Sequence, residues 1–339
     1  MLTRLAALAA VLLLSLTQAA AQERIRFTLD WKLQGLHAWF YWAAEKGYFK
    51  AEGLDVTIDQ GEGSAATVTR ILGGAYDAGF GDMNAIIQNA ATRPDTPIMV
   101  YMIYSKAPFA LLTKASSPIK TIADIAGHKL GSPAGGAAIK LFPLLARKNG
   151  LDPTKIEVVN MAPNLQEQML VRGDVDISAL FSATSYMNLI ALKLDPDKDF
   201  RWFSYSDLGI DLYSNGVMVS QRLAQEKPEV VKGLVRAVNQ ALKDCAADPD
   251  AAVALLVRQE PLLNKEIEKR RLVYTVKNLI ATPEAAELGV GDVNDARLAD
   301  SIATIVTAYE LPKSPAAAAV FSRAYLPPKA ERVLPAMAN

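Results

Sequence analysis

The chain repeats one order of secondary structure in two separate stretches, and this repetition restricts the fold more than any other feature of the sequence. Residues 24–29, "RIRFTL", alternate apolar and polar side chains as a half-buried strand does. A helical pattern follows up to Gly47, then the strand "GLDVTID" and a glycine-rich turn that leads into another helix. Strands that alternate with helices at this spacing predict an α/β fold with mostly parallel sheets.

The same order begins again at Thr121. Residues 121–150 predict a helix, a strand, a glycine-rich turn and a helix, and residues 155–190 predict two further strand and helix pairs. A chain of this length exceeds the usual size of a single core. We therefore predict two lobes of similar α/β architecture, with the long helical patterns after Gly216 packing back on the first lobe.

The first 21 residues predict a secretory signal peptide. Arg4 precedes a short apolar run, and Ala19 and Ala21 fit the small residues of a cleavage site, so the mature chain is expected to begin near Gln22. The run is shorter than the roughly 20 apolar residues that span a bilayer. The predicted location is the periplasm of a bacterium with two membranes.

Composition argues against several classes of function. Without Arg4 the mature chain has 36 − 1 = 35 basic and 36 acidic residues, a balance that gives no electrostatic footprint for nucleic acid. Cys245 is the single cysteine, His37 and His128 are the two histidines, and none of them has metal-ligand spacing. We predict no metal, no cofactor and no catalytic residue.

Ligands of open α/β sheets bind beyond the carboxyl ends of the strands, where loops lead into helices. Five loops meet this description: 30–37, 60–64, 81–84, 132–137 and 181–185. Free backbone N–H groups at such helix starts can hold an anion or a carbonyl oxygen. None of the five loops contains an arginine, which disfavours a carboxylate ligand held by a guanidinium group.

The candidate ligand-binding residues come mainly from these loops. Trp31 provides a flat wall for a planar solute, Asp30 or Asp82 can accept hydrogen bonds from its N–H groups, and the helix starts at Ser64 and Gly135 can meet its acceptors. Trp39 and Trp42 could face either the cleft or the core. The full set of candidates is Asp30, Trp31, His37, Trp39, Gly63, Ser64, Asp82, Asn84, Tyr104, Ser132, Gly135, Gly136, Phe181 and Ser182.

Several motifs resemble those of the periplasmic solute-binding proteins of ABC importers. They are "LDW", "HAWFYWAAEKGYFKAEGLDV", "GEGS" and "GAYDAGFGD" in the first half, and "SPIKTIADIAGHKLGSPAGGAA" and "RGDVDISALF" in the second. The chain is similar to the family that serves thiamine-type pyrimidines, alkanesulfonates, taurine and nitrate.

The resemblance implies a type II periplasmic binding fold, a two-lobed α/β architecture with the ligand cleft between the lobes. It divides the chain into the signal peptide 1–21, the first part of lobe 1 at 22–106, lobe 2 at 107–213, and a return to lobe 1 at 214–339. It implies a monomer that closes over its solute by a hinge. The implied partners are a membrane permease and its ATPase.

Three functions are compatible with the resemblance. The first is binding of an aminopyrimidine or a related heterocycle, and the second is binding of a small anion such as an alkanesulfonate, taurine, nitrate or an aromatic carboxylate. The third is pyrimidine synthesis, because enzymes of the same fold consume their own lysine-bound pyridoxal phosphate and a histidine. Lys32 and His37 invite that comparison, but the chain lacks the cysteine cluster of those enzymes.

Overall fold

The computed structural model describes residues 22–336 and contains two five-stranded sheets flanked by helices. The predicted signal peptide, 1–21, lies outside the described residues. The first sheet is formed by β1 (Glu23–Thr28), β2 (Leu54–Asp59), β3 (Ala78–Asp82), β4 (Ile98–Met102) and β10 (Asn215–Val219). The second sheet is formed by β5 (Phe109–Lys114), β6 (Lys129–Ser132), β7 (Glu157–Asn160), β8 (Ile177–Phe181) and β9 (Phe200–Ser204).

The two sheets have the same layout. Their strand orders are β2-β1-β3-β10-β4 and β7-β6-β8-β5-β9. In each sheet the first three strands are parallel, and the fourth strand is antiparallel to both of its neighbours. This arrangement confirms the predicted two-lobed α/β fold.

Helices cover the sheets and connect their strands. Lobe 1 has the helices Ala38–Glu45, Tyr48–Ala51, Ser64–Leu72 and Met83–Ala90, and lobe 2 has Ala137–Lys148, Gln166–Arg172 and Ser182–Ala191. The C-terminal part contains Gln221–Glu226, Pro228–Ala247, Pro249–Gln259, Lys265–Thr275, Pro283–Leu288, Asp295–Ala308 and Ala317–Val320. Within residues 22–336, no helix is long and apolar enough to cross a membrane.

The chain crosses between the two sheets in the segments 103–108 and 205–214. The crossings lie side by side, because the backbone N–H of Ala107 donates to the carbonyl of Leu212 at 3.1 Å. The C-terminal part braces them, since the N–H of Lys106 donates to the carbonyl of Leu279 at 3.1 Å.

The C-terminal helices contact both lobes. The helix Pro228–Ala247 packs its apolar face on Ala38–Glu45, and Asp244 accepts hydrogen bonds from the indole of Trp42 and the hydroxyl of Tyr48. The helix Lys265–Thr275 contacts both Ser182–Ala191 of lobe 2 and Gly35–His37 of lobe 1. The C-terminal segment therefore links the two lobes behind the cleft as well as completing lobe 1.

Candidate functional site

A cavity of about 980 Å³ lies between the two lobes. Its volume is at the upper end of the range for small-molecule sites. All five loops at the strand ends contribute to its wall. The predicted residues that line it are Asp30, Trp31, Gly63, Ser64, Asp82, Asn84, Tyr104, Ser132, Gly135, Gly136 and Phe181.

Three predicted residues do not line the cavity. Trp39 is fully buried in the core of lobe 1, where its ring meets Phe80 edge to face at 6.4 Å. His37 is also fully buried, behind the cavity wall. Ser182 begins a helix, and its backbone N–H is engaged by the carbonyl of Pro108 at 2.8 Å. The aromatic helix after the first strand is thus a core element, and Trp42 is buried with it.

Asp30 is held in place from both sides. Its Oδ1 lies 2.9 Å from Nε2 of His37, and its Oδ2 accepts from the Asn215 amide at 2.7 Å. Nδ1 of His37 accepts from the backbone N–H of Gln34 at 3.1 Å, so Nε2 carries the hydrogen and donates to Asp30. His37 therefore contributes to the site by positioning the Asp30 carboxylate, whose remaining lone pairs can face a ligand.

The loop that carries Trp31 is fastened by its backbone. The N–H of Gly61 donates to the carbonyl of Trp31 at 3.0 Å, and the N–H of Gly63 donates to that of Asp30 at 2.6 Å. A β-carbon at Gly61 would lie 2.0 Å from the carbonyl oxygen of Leu29, so this close approach requires glycine. Because these bonds do not involve the indole, the half-buried ring is free to form the cavity wall.

Tyr104 connects the aromatic core to the cavity. Its ring packs edge to face on Phe80 at 5.4 Å, while the residue also lines the cavity. The hydroxyl is buried and has no hydrogen-bond partner among the described residues. Burial, with a smaller contribution from the nearby charge of Asp30, raises the pKa of Tyr104 well above its usual value, so the hydroxyl stays protonated. It can donate to or accept from a ligand.

Asp82 and Asn84 form a buried pair at the end of β3. Oδ1 of Asp82 accepts from the backbone N–H of Asn84 at 3.1 Å and from its side-chain amide at 2.7 Å. Burial raises the pKa of Asp82 to about 7. The Asn84 amide nitrogen also donates to the carbonyl of Tyr213 at 2.9 Å, which leaves Oδ1 of Asn84 without a partner among the described residues.

The wall from lobe 2 includes polar residues that the sequence did not single out. Gln166 donates to the carbonyl of Ala179 at 2.7 Å, beside the predicted residue Ser132, which donates to the same carbonyl at 2.8 Å, and Glu167 is 95% buried at the cavity wall. Gln166 and Glu167 follow β7. The rule that ligands bind in the loops after the carboxyl ends of strands also applies to β7, and it would predict both residues.

The charged side chains of the cavity are distributed unevenly. Among the described lining residues the cations are Lys32 and Lys140, which are both exposed. Of the acids in the wall, Asp30, Asp82 and Glu167 are buried, and Glu62 is exposed at the cavity mouth. The interior of the cavity therefore favours a ligand that donates hydrogen bonds. No cluster of three or more potential metal ligands occurs in the part of the chain that the structure describes.

Two lobes of equal topology, joined by paired crossings and enclosing a ligand-sized cavity, define the type II periplasmic binding fold. A family model described as "NMT1/THI5 like" matches residues 34–252. The chain belongs to this family.

Comparison with known proteins gives relatives of more than one kind. The riboflavin-binding protein RibY of Chloroflexus aurantiacus is 24% identical over 66% of this chain, and the match spans 62% of that protein, less than two thirds of its length. The 4-amino-5-hydroxymethyl-2-methylpyrimidine phosphate synthase of Aspergillus parasiticus is 26% identical over 76% of this chain and 78% of its own. Among solved structures, the alkanesulfonate-binding protein SsuA of Xanthomonas axonopodis pv. citri, bound to MOPS, has a TM-score of 0.67 and 18% identity, and covers 89% of this chain and 99% of its own.

Proposed function

We propose that the protein is the periplasmic substrate-binding component of an ABC importer and captures a small, planar, polar solute such as an aminopyrimidine or a related heterocycle. The observation that carries this proposal is the cavity between the lobes, whose wall includes both Trp31 and the positioned carboxylate of Asp30. As a monomer it would deliver the solute to a membrane permease and its ATPase.

The polar groups of the cavity fit a heterocycle with amino substituents. Asp30 can accept from the amino group, the unpartnered Oδ1 of Asn84 offers a second acceptor, and the Tyr104 hydroxyl can meet a ring nitrogen. Buried polar groups that lack a partner cost free energy until a ligand satisfies them. The names of two relatives support this class, because one binds riboflavin and the other is a synthase of an aminopyrimidine phosphate.

Lobe closure would couple binding to transport. A solute that contacts both lobes only in the closed form stabilises that form by its differential affinity. Polar groups of both lobes line the cavity, Asp30 from lobe 1 and Ser132 from lobe 2. The Thr184 hydroxyl of lobe 2 also donates to Oε1 of Gln34 of lobe 1 at 3.4 Å, so the two lobes are in direct contact at the cavity wall.

A small anion is the second candidate. The structural neighbour SsuA was solved with MOPS bound, and the exposed Lys32 and Lys140 at the cavity could attract an anion. The buried carboxylates Asp30 and Glu167 oppose this candidate, because an anion next to them would be repelled. The enzyme alternative has less support, since His37 is sealed behind Asp30 and Lys32 is exposed.

A thermal-shift screen tests the ligand class. The panel contains aminopyrimidines, riboflavin, alkanesulfonates, taurine, nitrate and aromatic acids. We expect a clear rise in melting temperature with an aminopyrimidine or riboflavin, because a ligand at a hundredfold excess over its dissociation constant stabilises the fold by about 2.7 kcal/mol. A rise with sulfonates and no response to any heterocycle would contradict the proposal.

Trp31→Ala is expected to weaken binding of the heterocycle found in the screen by at least tenfold. The reason is the loss of the stacking surface, which is worth about 1–3 kcal/mol for a planar ring. The loop should keep its shape, since its hydrogen bonds use backbone atoms of Asp30, Trp31, Gly61 and Gly63. Isothermal titration calorimetry measures the affinity, and Trp31→Phe is the matched control that retains a ring and most of the affinity. Equal affinity of Trp31→Ala and the unmodified protein would remove Trp31 from the binding surface.

A further inference from the structure

Glu167 is a carboxylate of the cavity wall that has no counter-ion among the residues that the structure describes. It is 95% buried, lines the cavity, and forms no ion pair with any residue between 22 and 336. Within the described part of the chain, its one hydrogen-bond donor is the side-chain amide of Asn188, at 3.1 Å. A carboxylate accepts about four hydrogen bonds, so most of its capacity is unused.

A second layer of residues fixes the orientation of Asn188. Nη2 of Arg271 lies 3.3 Å from Oδ1 of Asn188, so the amide oxygen faces the guanidinium and the amide nitrogen faces Glu167. Arg271 is itself anchored by Nη1, which donates to the carbonyls of Ala183 and Thr184 at 3.3 and 2.8 Å. Arg271 therefore orients Asn188, and Asn188 holds the Glu167 carboxylate at the cavity wall. The carboxylate itself forms no ion pair in this arrangement.

We propose that Glu167 is a specificity-determining residue that accepts hydrogen bonds from an amino, amidine or ammonium group of the solute, with Asn188 as its positioning residue. This inference deepens the proposed function and rests on the same cavity. A buried carboxylate without a counter-ion is costly, and a donor group on the ligand compensates that cost, whereas an anionic group would add repulsion. Glu167 lies in lobe 2 and Asp30 in lobe 1, so a solute with donors at two edges would join the lobes.

A purely structural role predicts something different. Glu167 is in the first turn of the helix Gln166–Arg172, where a carboxylate stabilises the helix dipole by about 0.3–1 kcal/mol. In that role, neutralising Glu167 would lower the melting temperature slightly and leave ligand affinity unchanged. Affinity and stability therefore separate the two roles.

The test compares Glu167→Gln with the matched control Glu157→Gln. Glu157 is also in lobe 2, but it is exposed, lies outside the cavity wall and pairs with Lys129 at 3.8 Å. The probe is 4-amino-5-hydroxymethyl-2-methylpyrimidine, measured by titration calorimetry. We expect Glu167→Gln to weaken binding at least tenfold and Glu157→Gln to change it less than twofold. Binding within twofold of the unmodified protein by a folded Glu167→Gln variant would overturn the proposal.

A double variant tests the positioning role of Asn188. Asn188→Ala should weaken the same probe, and combining it with Glu167→Gln should add little further loss, because both changes disable one carboxylate. Additive losses would show that Asn188 acts independently of Glu167 and would overturn the positioning role.

A pair of sulfonates separates failure of this inference from failure of the proposed ligand class. Taurine carries an ammonium group that ethanesulfonate lacks. If the unmodified protein binds sulfonates and no heterocycle, the proposed ligand class fails. Even then, Glu167 should make taurine bind at least tenfold more tightly than ethanesulfonate. The variant Glu167→Gln should lose that preference. Retention of the preference in the variant, or binding of none of these probes, would overturn the role of Glu167.

Discussion

We expect Asp82→Asn to be more stable than the unmodified chain at pH 8 and to lose this advantage as the pH falls to 4. The unmodified folded state keeps a proton on the buried Asp82 carboxyl up to a pKa of about 7, whereas the unfolded chain releases it near 3.8. A raised carboxyl pKa contributes stability that is fully present below pH 3.8 and is lost as the pH rises through about 7. The amide side chain of the variant has no such proton to lose.

The expected difference between the two proteins is on the order of 4 kcal/mol at pH 8, because 1.36 kcal/mol corresponds to one pH unit between the two pKa values. Asparagine keeps the oxygen that accepts from Asn84 and is an equally good cap for the helix Met83–Ala90. Urea unfolding at a series of pH values measures the difference. The control Asp207→Asn changes an exposed aspartate. Parallel stability curves for Asp82→Asn and the unmodified protein would show that Asp82 does not retain its proton in the folded state.

Local pattern was sufficient to predict the fold. The strand expected at 24–29 is Glu23–Thr28, and the helix expected after the glycine-rich turn begins at Ser64. Alternation and turn residues are local signals, so they place strands and helices without knowledge of distant contacts. The rule that ligands bind at the carboxyl ends of strands selected five loops, and ten of the candidate residues in them line one cavity.

The parts of the site that could not be predicted depend on long-range contacts. Asp30 is positioned by Asn215, which is 185 residues away, and only the folded sheet brings them together. Trp39 and Trp42 carry no sequence signal that separates cleft from core, and the packing of Pro228–Ala247 decides that both are buried. The hydrogen bonds of Arg271 to Thr184 and Asn188 could not be predicted either, because they join a C-terminal helix to lobe 2.

Arg271→Met is expected to destabilise the protein by about 3–5 kcal/mol. Arg271 is 97% buried and pairs with Glu268, at 2.9 Å between Nε and Oε2. Removing one member of a buried ion pair leaves the other charge uncompensated, and this cost is in the range given. The substitution also removes the hydrogen bonds from the guanidinium group to the carbonyls of Ala183 and Thr184.

The measurement is urea unfolding at neutral pH, with Arg258→Met as the control. Arg258 is an exposed arginine whose partner Glu45 lies 3.5 Å away, so its loss should cost less than about 1 kcal/mol. Adding Glu268→Gln to Arg271→Met should restore part of the stability, because it removes the unpaired charge. Equal losses for Arg271→Met and Arg258→Met would contradict a buried, structurally essential pair.

The same substitution should also loosen the two lobes. Glu268 accepts from the backbone N–H of Gly35 in lobe 1 at 2.5 Å, and Arg271 donates to carbonyls of lobe 2, so the pair joins both lobes through one helix. A β-carbon at Gly35 would lie 2.1 Å from the carbonyl oxygen of Glu268, which shows how closely this helix approaches lobe 1. Small-angle scattering of ligand-free Arg271→Met should give a larger radius of gyration than that of Arg258→Met. An unchanged radius would mean that the crossings alone set the position of the lobes.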